Sequence, residues 1–178
     1  MPSLTGDWGT RSIYQMRIGL ITDTHIPVAA PELPPRVAEI FQGVDLILHS
    51  GDVYSRSVLD ELEKIAPVLA ASGDDDPLDT LRDERVKLKH ILKYEGHTLW
   101  LVHERPYSFQ FAMKQTEPED RPDIVIYGHS HAYQVQNYDG VLFVGSGSPT
   151  FLNYSRGPGT VGILEISPGD AQAEIVKL

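Results

Sequence analysis

Seven side chains able to bind a metal recur along the chain in the order Asp-x-His, Gly-Asp, Gly-Asp-Asp-Asp, His, Gly-His-x-His. They are Asp23, His25, Asp52, Asp74, His103, His129 and His131. Each follows a short apolar run. With no cysteine in the chain, the donors must be imidazole or oxygen, which suits manganese, iron, nickel, zinc or magnesium. Taken alone, Asp23 or Asp52 reads as a turn or helix-cap residue. Seven such groups converge on one point only if a sheet gathers them, and the chemistry is then that of a two-metal hydrolytic centre.

The elements that must position them follow from the pattern of apolar runs. The first half reads as βαβαβ, with strands over Arg17 to Thr22, Asp45 to His49 and Val68 to Ala71. A helix opens at Pro34 and Pro35 and runs to Phe41. A second, capped by Ser55 or Ser57, runs to Ile65 and stops before Pro67. The second half reads as a hairpin of Arg85 to Tyr94 with His97 to Val102 around Glu95-Gly96, and a short helix from Tyr107 to Lys114. A buried strand over Asp123 to Tyr127 and a hairpin around Asp139-Gly140 follow. Strands over Val161 to Ile166 and Ala173 to Val176 finish the chain. The expected fold class is α/β, two mixed β-sheets packed face to face and flanked by helices. Ligand crevices in open α/β sheets lie beyond the carboxyl ends of the strands, where every candidate falls.

Local spacing supports convergence. If Asp23-Thr24-His25 is extended, its alternate side chains point the same way and bind one ion, and His129-Ser130-His131 repeats that geometry. Gly51 and Gly73 would supply positive φ before Asp52 and Asp74. His49 reads as structural or as a support behind a ligand, and Asp76 as a cap or a similar support. His90 and His97 read as surface residues, and Arg156 as structural. Phe109, Phe111 and Met113 fit a core, a site wall or a subunit contact.

Length and composition set the remaining bounds. A chain of 178 residues fits one domain, expected over 16–178 behind a weakly packed tail at 1–15. No apolar run approaches the roughly 20 residues of a membrane span, and the first fifteen residues have no signal-peptide core. Absence of cysteine fits a reducing cytoplasm. A net charge of −10 argues against a general nucleic-acid surface or an anionic-membrane anchor. It leaves a small phosphate-ester substrate open, because bound dications invert the local field. An acidic surface with hairpins and exposed aromatics permits a homodimer.

The strings ITDTH, HSGDV, ASGDDD, LVH and YGHSH, in this order, resemble the calcineurin-like metallophosphoesterases, most nearly their small single-domain bacterial and archaeal phosphodiesterase branch. The resemblance covers nearly everything from Met16 onward, including GSGSPTFLNYSRGPGTVGILEI near the end. It implies the four-layer metallophosphoesterase sandwich and two divalent metal ions, manganese first among them. Asp23, His25 and His131 would hold one ion and Asp74, His103 and His129 the other. Asp52 would lie between them with a bridging water or hydroxide as the nucleophile. The implied activity is hydrolysis of phosphate esters, diesters ahead of monoesters.

Four departures bear on that implication. Asp74 stands where the family usually has Asn. Two dications with Asp23, Asp52 and a hydroxide leave one net positive charge, which an ionised Asp74 cancels. Asp75 stands where many larger relatives carry a His thought to protonate the leaving group. As an ordinary Asp it is a weaker catalytic acid near neutrality. Glu104-Arg105-Pro106 replaces a common Gly, and Arg105 offers a substrate phosphate a partner. Gly145-Ser146-Gly147-Ser148 replaces the usual Asn-Pro-Gly-Ser. A catalytically weak metal-binding scaffold of the same fold, the habit of the retromer scaffold subunit in this family, is the alternative. Retention of all four ligand histidines argues against it.

Overall fold

The computed structural model describes residues 16–150 and 159–178. The expected tail at 1–15 and Arg156 lie outside the described residues. Eleven strands appear among them: β1 (Met16–Ile21), β2 (Leu46–His49), β3 (Val68–Ala71), β4 (Val86–Lys87), β5 (Lys89–Tyr94), β6 (His97–Val102), β7 (Ile124–Tyr127), β8 (Tyr133–Tyr138), β9 (Val141–Ser146), β10 (Thr160–Ser167) and β11 (Asp170–Lys177). Four helices join them: α1 (Pro35–Ile40), α2 (Arg56–Glu63), α3 (Leu78–Leu81) and α4 (Phe109–Lys114).

The short apolar runs become strands because both faces are buried. Ile47 turns toward α1 and α2, packing with Val37, Phe41, Leu59 and Leu62, while Leu46 and Leu48 turn toward the opposite sheet. The first sheet has the order β11-β10-β1-β2-β3-β4. Strands β1 to β4 are parallel, and the final hairpin lies antiparallel beside β1. The second has the order β5-β6-β7-β9-β8, with β6, β7 and β9 parallel. Ile18, Leu20 and Leu48 meet Leu99, Leu101, Ile126 and Val144 between the sheets. On the far side, α4 covers Trp100, Val125 and Phe143 with Phe109 and Met113, while Phe111 faces solvent. The result is the expected α/β arrangement of four layers.

Local chemistry explains the boundaries. The Ser57 amide donates to Ser55 Oγ at 3.3 Å, which caps α2. Glu95-Gly96 and Asp139-Gly140 have paired positive φ values, 50° with 82° and 54° with 80°, as two-residue hairpin turns require.

Two expectations are corrected. The strand expected over Arg85 to Tyr94 breaks at Leu88, which is 82 % exposed. Here the chain leaves the first sheet, where β4 pairs with β3, and enters the second, where β5 pairs with β6. The same crossing buries His90, expected at the surface: its Nε2 lies 2.8 Å from the Ala70 carbonyl oxygen. His97 is half-buried, with Nε2 3.1 Å from the Ser167 carbonyl oxygen. Two short elements have no counterpart in the apolar pattern: α3, which Pro77 introduces, and a single 3-10 turn at Pro118–Asp120.

Arg85 ties this crossing to α2. Its guanidinium meets Asp83 at 2.8 Å, Asp60 at 2.7 Å and Glu63 at 2.8 Å. The Arg85 hydrogen bonds hold the buried Asp83 carboxyl well below the usual carboxylate range. Arg85→Ala leaves Asp83 the backbone amide of residue 85 and the Arg56 guanidinium, each at 3.0 Å, and is expected to cost about 2–4 kcal/mol at neutral pH. A depressed folded-state pKa stabilises above the unfolded pKa, near 4, and that contribution is lost as pH falls further. Denaturant midpoints of wild type and variant should therefore converge on acidification below about pH 4.

Candidate metal centre

All seven candidates lie just beyond the carboxyl ends of five parallel strands. Asp23 and His25 follow β1, Asp52 follows β2, Asp74 follows β3, His103 follows β6, and His129 and His131 follow β7. The two sheets therefore deliver them to one place from both sides. They form two groups: Asp23, His25 and His131, and Asp74, His103 and His129. Asp52 stands between, its Oδ2 3.6 Å from His25 Nε2 and 3.4 Å from His103 Nε2. Within the groups, His131 Nε2 is 3.5 Å from Asp23 Oδ1, and His129 Nδ1 is 3.3 Å from both Asp74 Oδ2 and His103 Nε2.

These spacings approach those of metal coordination, with His25 Nε2 to Asp23 Oδ1 at 3.9 Å and His103 Nε2 to Asp74 Oδ1 at 4.0 Å somewhat wider. Ligand bonds of about 2.1 Å place neighbouring donors roughly 3.0–3.4 Å apart around one ion. Charge gives the same answer. Asp23 and Asp52 are buried, and among the described residues no lysine or arginine pairs with either. Buried carboxylates require a counter-charge. Burial raises the Asp23 carboxyl to about 6, partly opposed by the Thr22 hydroxyl donating to Oδ2 at 2.8 Å. Burial alone would raise Asp52 too, but the His103 imidazole and the Asp75 amide outweigh it and lower its pKa. Burial opposes charge on His103, yet Asp52 and the Ser50 carbonyl push that imidazole up to about 9. His25 and His131 are lowered, mainly by burial. His103 Nδ1 donates to the Ser50 carbonyl oxygen at 2.8 Å, which leaves Nε2 facing Asp52 and Asp74.

Asp23 and His25 are not on an extended segment: their φ values are 52° and 46°. His129 and His131, at 68° and 57°, also adopt the left-handed region, and turn to different groups instead of one. Asp52 joins them at 54°. Such a conformation costs a non-glycine residue on the order of 1–3 kcal/mol and persists where surrounding contacts over-determine it. Those contacts are visible. Ser148 Oγ donates to the Asp23 carbonyl oxygen at 2.8 Å and Thr150 Oγ1 to that of Thr24, so the Gly-Ser loop braces the first turn. The fully buried His49, lowered to about 3 by burial, accepts the Gly51 amide at Nδ1 and bonds Thr24 Oγ1 through Nε2. Asp76 accepts the Gly73 amide at 2.7 Å and the Tyr54 amide at 2.8 Å. It therefore clamps two loops rather than binding metal.

Glycines make room for this packing. Gly51 has φ +100°, and a Cβ there would lie 2.7 Å from His103 Nδ1. Gly73 differs from expectation, since no positive φ requires it. It is needed because a Cβ would overlap the Asp52 amide nitrogen and Oδ1. A Cβ at Gly128 would overlap Thr22 Oγ1 and lie 2.7 Å from Asp23 Oδ2.

Comparison with known proteins decides the family. The calcineurin-like phosphoesterase superfamily domain matches residues 16–169. The chain belongs to that superfamily. A probable metallophosphoesterase from Methanothermobacter thermautotrophicus is 33 % identical over 164 residues, covering 91 % of this chain and 92 % of the relative. A phosphodiesterase from Methanocaldococcus jannaschii is 29 % identical over 170 residues, covering 84 % of this chain and 93 % of that one. The fold is shared with vacuolar protein sorting 29 from Cryptosporidium parvum, at a TM-score of 0.72 and 21 % identity, covering 93 % and 98 % of the two chains.

Three further residues of this calcineurin-like domain border the centre. Asp75 brings a carboxylate oxygen within 4.8 Å of donor atoms of His25 and Asp52. Arg105 stacks on Phe143, with Cζ 4.2 Å from the ring centroid. It lines a cavity of about 440 Å³ together with Tyr127, His129, Tyr133 and Gln134. Tyr54, absent from the sequence reading, packs its ring on His25 with centroids 4.7 Å apart. Its place immediately after Gly-Asp-Val was the available signal. The group of Asp74 and His129 is the open one, their side chains 59 % and 45 % exposed, whereas Asp23 and His25 are nearly closed off.

Proposed function

We propose that this calcineurin-like domain is a two-metal phosphodiesterase. The carrying observation is the pair of three-residue groups with Asp52 between them. In this reading Asp23, His25 and His131 hold one ion, Asp74, His103 and His129 the other, and Asp52 bridges. Divalent ions supply polarisation of a phosphoryl group and a solvent nucleophile active near neutral pH. Manganese suits the mixed imidazole and carboxylate donors, and the cysteine-free sequence suits a reducing cytoplasm.

The chain's own residues then orient and admit substrate. The solvent-facing Asp74 and His129 mark the side of entry, and the cavity beside His129 receives an ester arm. Arg105, held against Phe143, offers that arm one cation. Asp75, next to His25 and Asp52, is placed to give a proton to a leaving oxygen. Diesters are favoured because the dianion of a monoester calls for a denser cationic clamp than this site offers. The M. jannaschii relative's name points the same way. A catalytically weak metal-binding scaffold is the second reading, favoured by the extra carboxylate of Asp74 and by the exposed Asp75 where larger relatives carry a histidine.

The test is metal-stripped protein reloaded with manganese and offered a chromogenic phosphodiester beside a chromogenic monoester. Faster, manganese-dependent diester cleavage is expected. Full metal loading without turnover of either compound supports the scaffold. Asp74→Asn tests the charge argument in the same assay. Removing one carboxylate should loosen metal binding yet strengthen attraction for the phosphate and acidify the attacking water. At saturating manganese its activity should match or exceed wild type, and a large loss contradicts the argument.

A further inference from the structure

Four strands end the two sheets, and three of them carry features that discourage pairing with another chain. Strand β4 is two residues long. Strand β5 carries Lys89 and Lys93, the latter paired with Asp120 at 3.0 Å. Strand β11 carries Asp170, Glu174 and Lys177. Strand β8 has none of these. Its sequence, Tyr133-Gln134-Val135-Gln136-Asn137-Tyr138, lacks any charge or proline, and all six residues are exposed. Natural proteins protect such an edge, and an unprotected one is a template for another strand.

The hairpin turn determines which backbone groups face outward. Asp139 and Gly140 form a two-residue turn, so Tyr138 and Val141 are the hydrogen-bonded pair that closes it. Hydrogen-bonded and non-bonded pairs alternate along an antiparallel ladder. Gln136 and Gln134 therefore also bond inward to β9, and the N–H and C=O of Tyr133, Val135 and Asn137 point out from the edge. Among the described residues no backbone partner from another element takes these groups.

We propose that β8 pairs antiparallel with β8 of a second copy of this chain, with Val135 on the two-fold axis. An antiparallel pair must match outward residues with outward residues, and centring on Val135 uses all three. Tyr133 meets Asn137 of the other copy, Val135 meets Val135, and each pair exchanges two main-chain hydrogen bonds. Gln134 then faces Gln136 across the axis, an amide pair. The second copy is the fitting occupant for two reasons. The strand is complementary to itself in this register, as a two-fold interface requires. It is also an uncharged strip on a chain of net charge −10, so two like-charged molecules meet where their repulsion is least. The product is one continuous sheet of ten strands, built from two copies of the five-stranded sheet. This inference stands independently of the catalytic reading.

Sedimentation of the full chain tests it. Wild type should run at twice its 19.8 kDa mass. Val135→Lys places two ammonium groups together on the axis, and Val135→Pro removes an outward N–H while sparing the ladder to β9. Both should lose the dimer. A cross-link keeps the test decisive if either variant misfolds. The chain has no cysteine, and paired Cα atoms about 5.5 Å apart lie within disulfide reach. Val135→Cys should therefore cross-link on mild oxidation, while Leu88→Cys, more open to solvent, should not. A monomeric wild type, a dimer that survives both folded variants, or equal cross-linking at the two positions would overturn the proposal.

Discussion

Asp52→Asn is expected to lower kcat/KM for a phosphodiester by about a thousandfold or more, with the thermal unfolding midpoint little changed. The carboxylate has two separate duties. Oδ1 accepts the Asp75 amide at 3.0 Å, and an Asn side-chain oxygen keeps that bond and the loop it positions. Oδ2 lies between His25 and His103, at 3.6 and 3.4 Å. An amide there presents N–H groups where the proposed site needs an anion, and removes the negative charge between two cations. The fold should therefore survive while the centre fails. Steady-state kinetics at saturating manganese, alongside a melting curve, separates the two. Near wild-type turnover in the folded variant would remove Asp52 from the bridging role.

Gly73→Ala is expected to damage stability and activity together. The added Cβ would overlap both the backbone nitrogen and Oδ1 of Asp52; the nitrogen is main chain, and Oδ1 is held by the Asp75 amide at 3.0 Å. Relief requires the β3–α3 loop to move away from the β2 loop. That loop carries Asp74 and Asp75, and the Gly73 amide is itself held by Asp76 at 2.7 Å. Overpacking of this kind costs typically about 1–3 kcal/mol and sometimes more. A displacement near 1 Å at reacting groups costs about a hundredfold in rate. The variant should show both a lower denaturant midpoint and at least that loss in kcat. A Gly73→Ala protein with unaltered stability and activity would contradict the packing described here.

Much of this was readable from residues alone, for a physical reason. Strands buried on both faces appear as unbroken apolar runs, so β1, β2, β3 and β7 stood out, and the residues after them were the candidates. Asp139-Gly140 announced its turn because few dipeptides tolerate two positive φ values. The hidden features depend on long-range packing. Nothing local in Arg85 to Tyr94 says that Leu88 is where the chain changes sheets, and His90 is buried only because Ala70 lies across from it. The left-handed backbones of Asp23, His25, Asp52, His129 and His131 were equally invisible. Asp and His are not glycine, and what holds them there arrives from Ser148, Thr150 and the buried His49. Gly73 was noticed for the wrong reason: its neighbour Asp52, not its own φ, excludes a side chain.

The most direct test of the central claim is a manganese titration of metal-stripped protein that follows bound metal per chain and diester hydrolysis together. The account predicts two ions per chain, activity that appears as the second site fills, and loss of both the second ion and the activity in Asp52→Asn. Binding of fewer than two ions by fully active protein, or undiminished hydrolysis in the presence of a chelator, would contradict it.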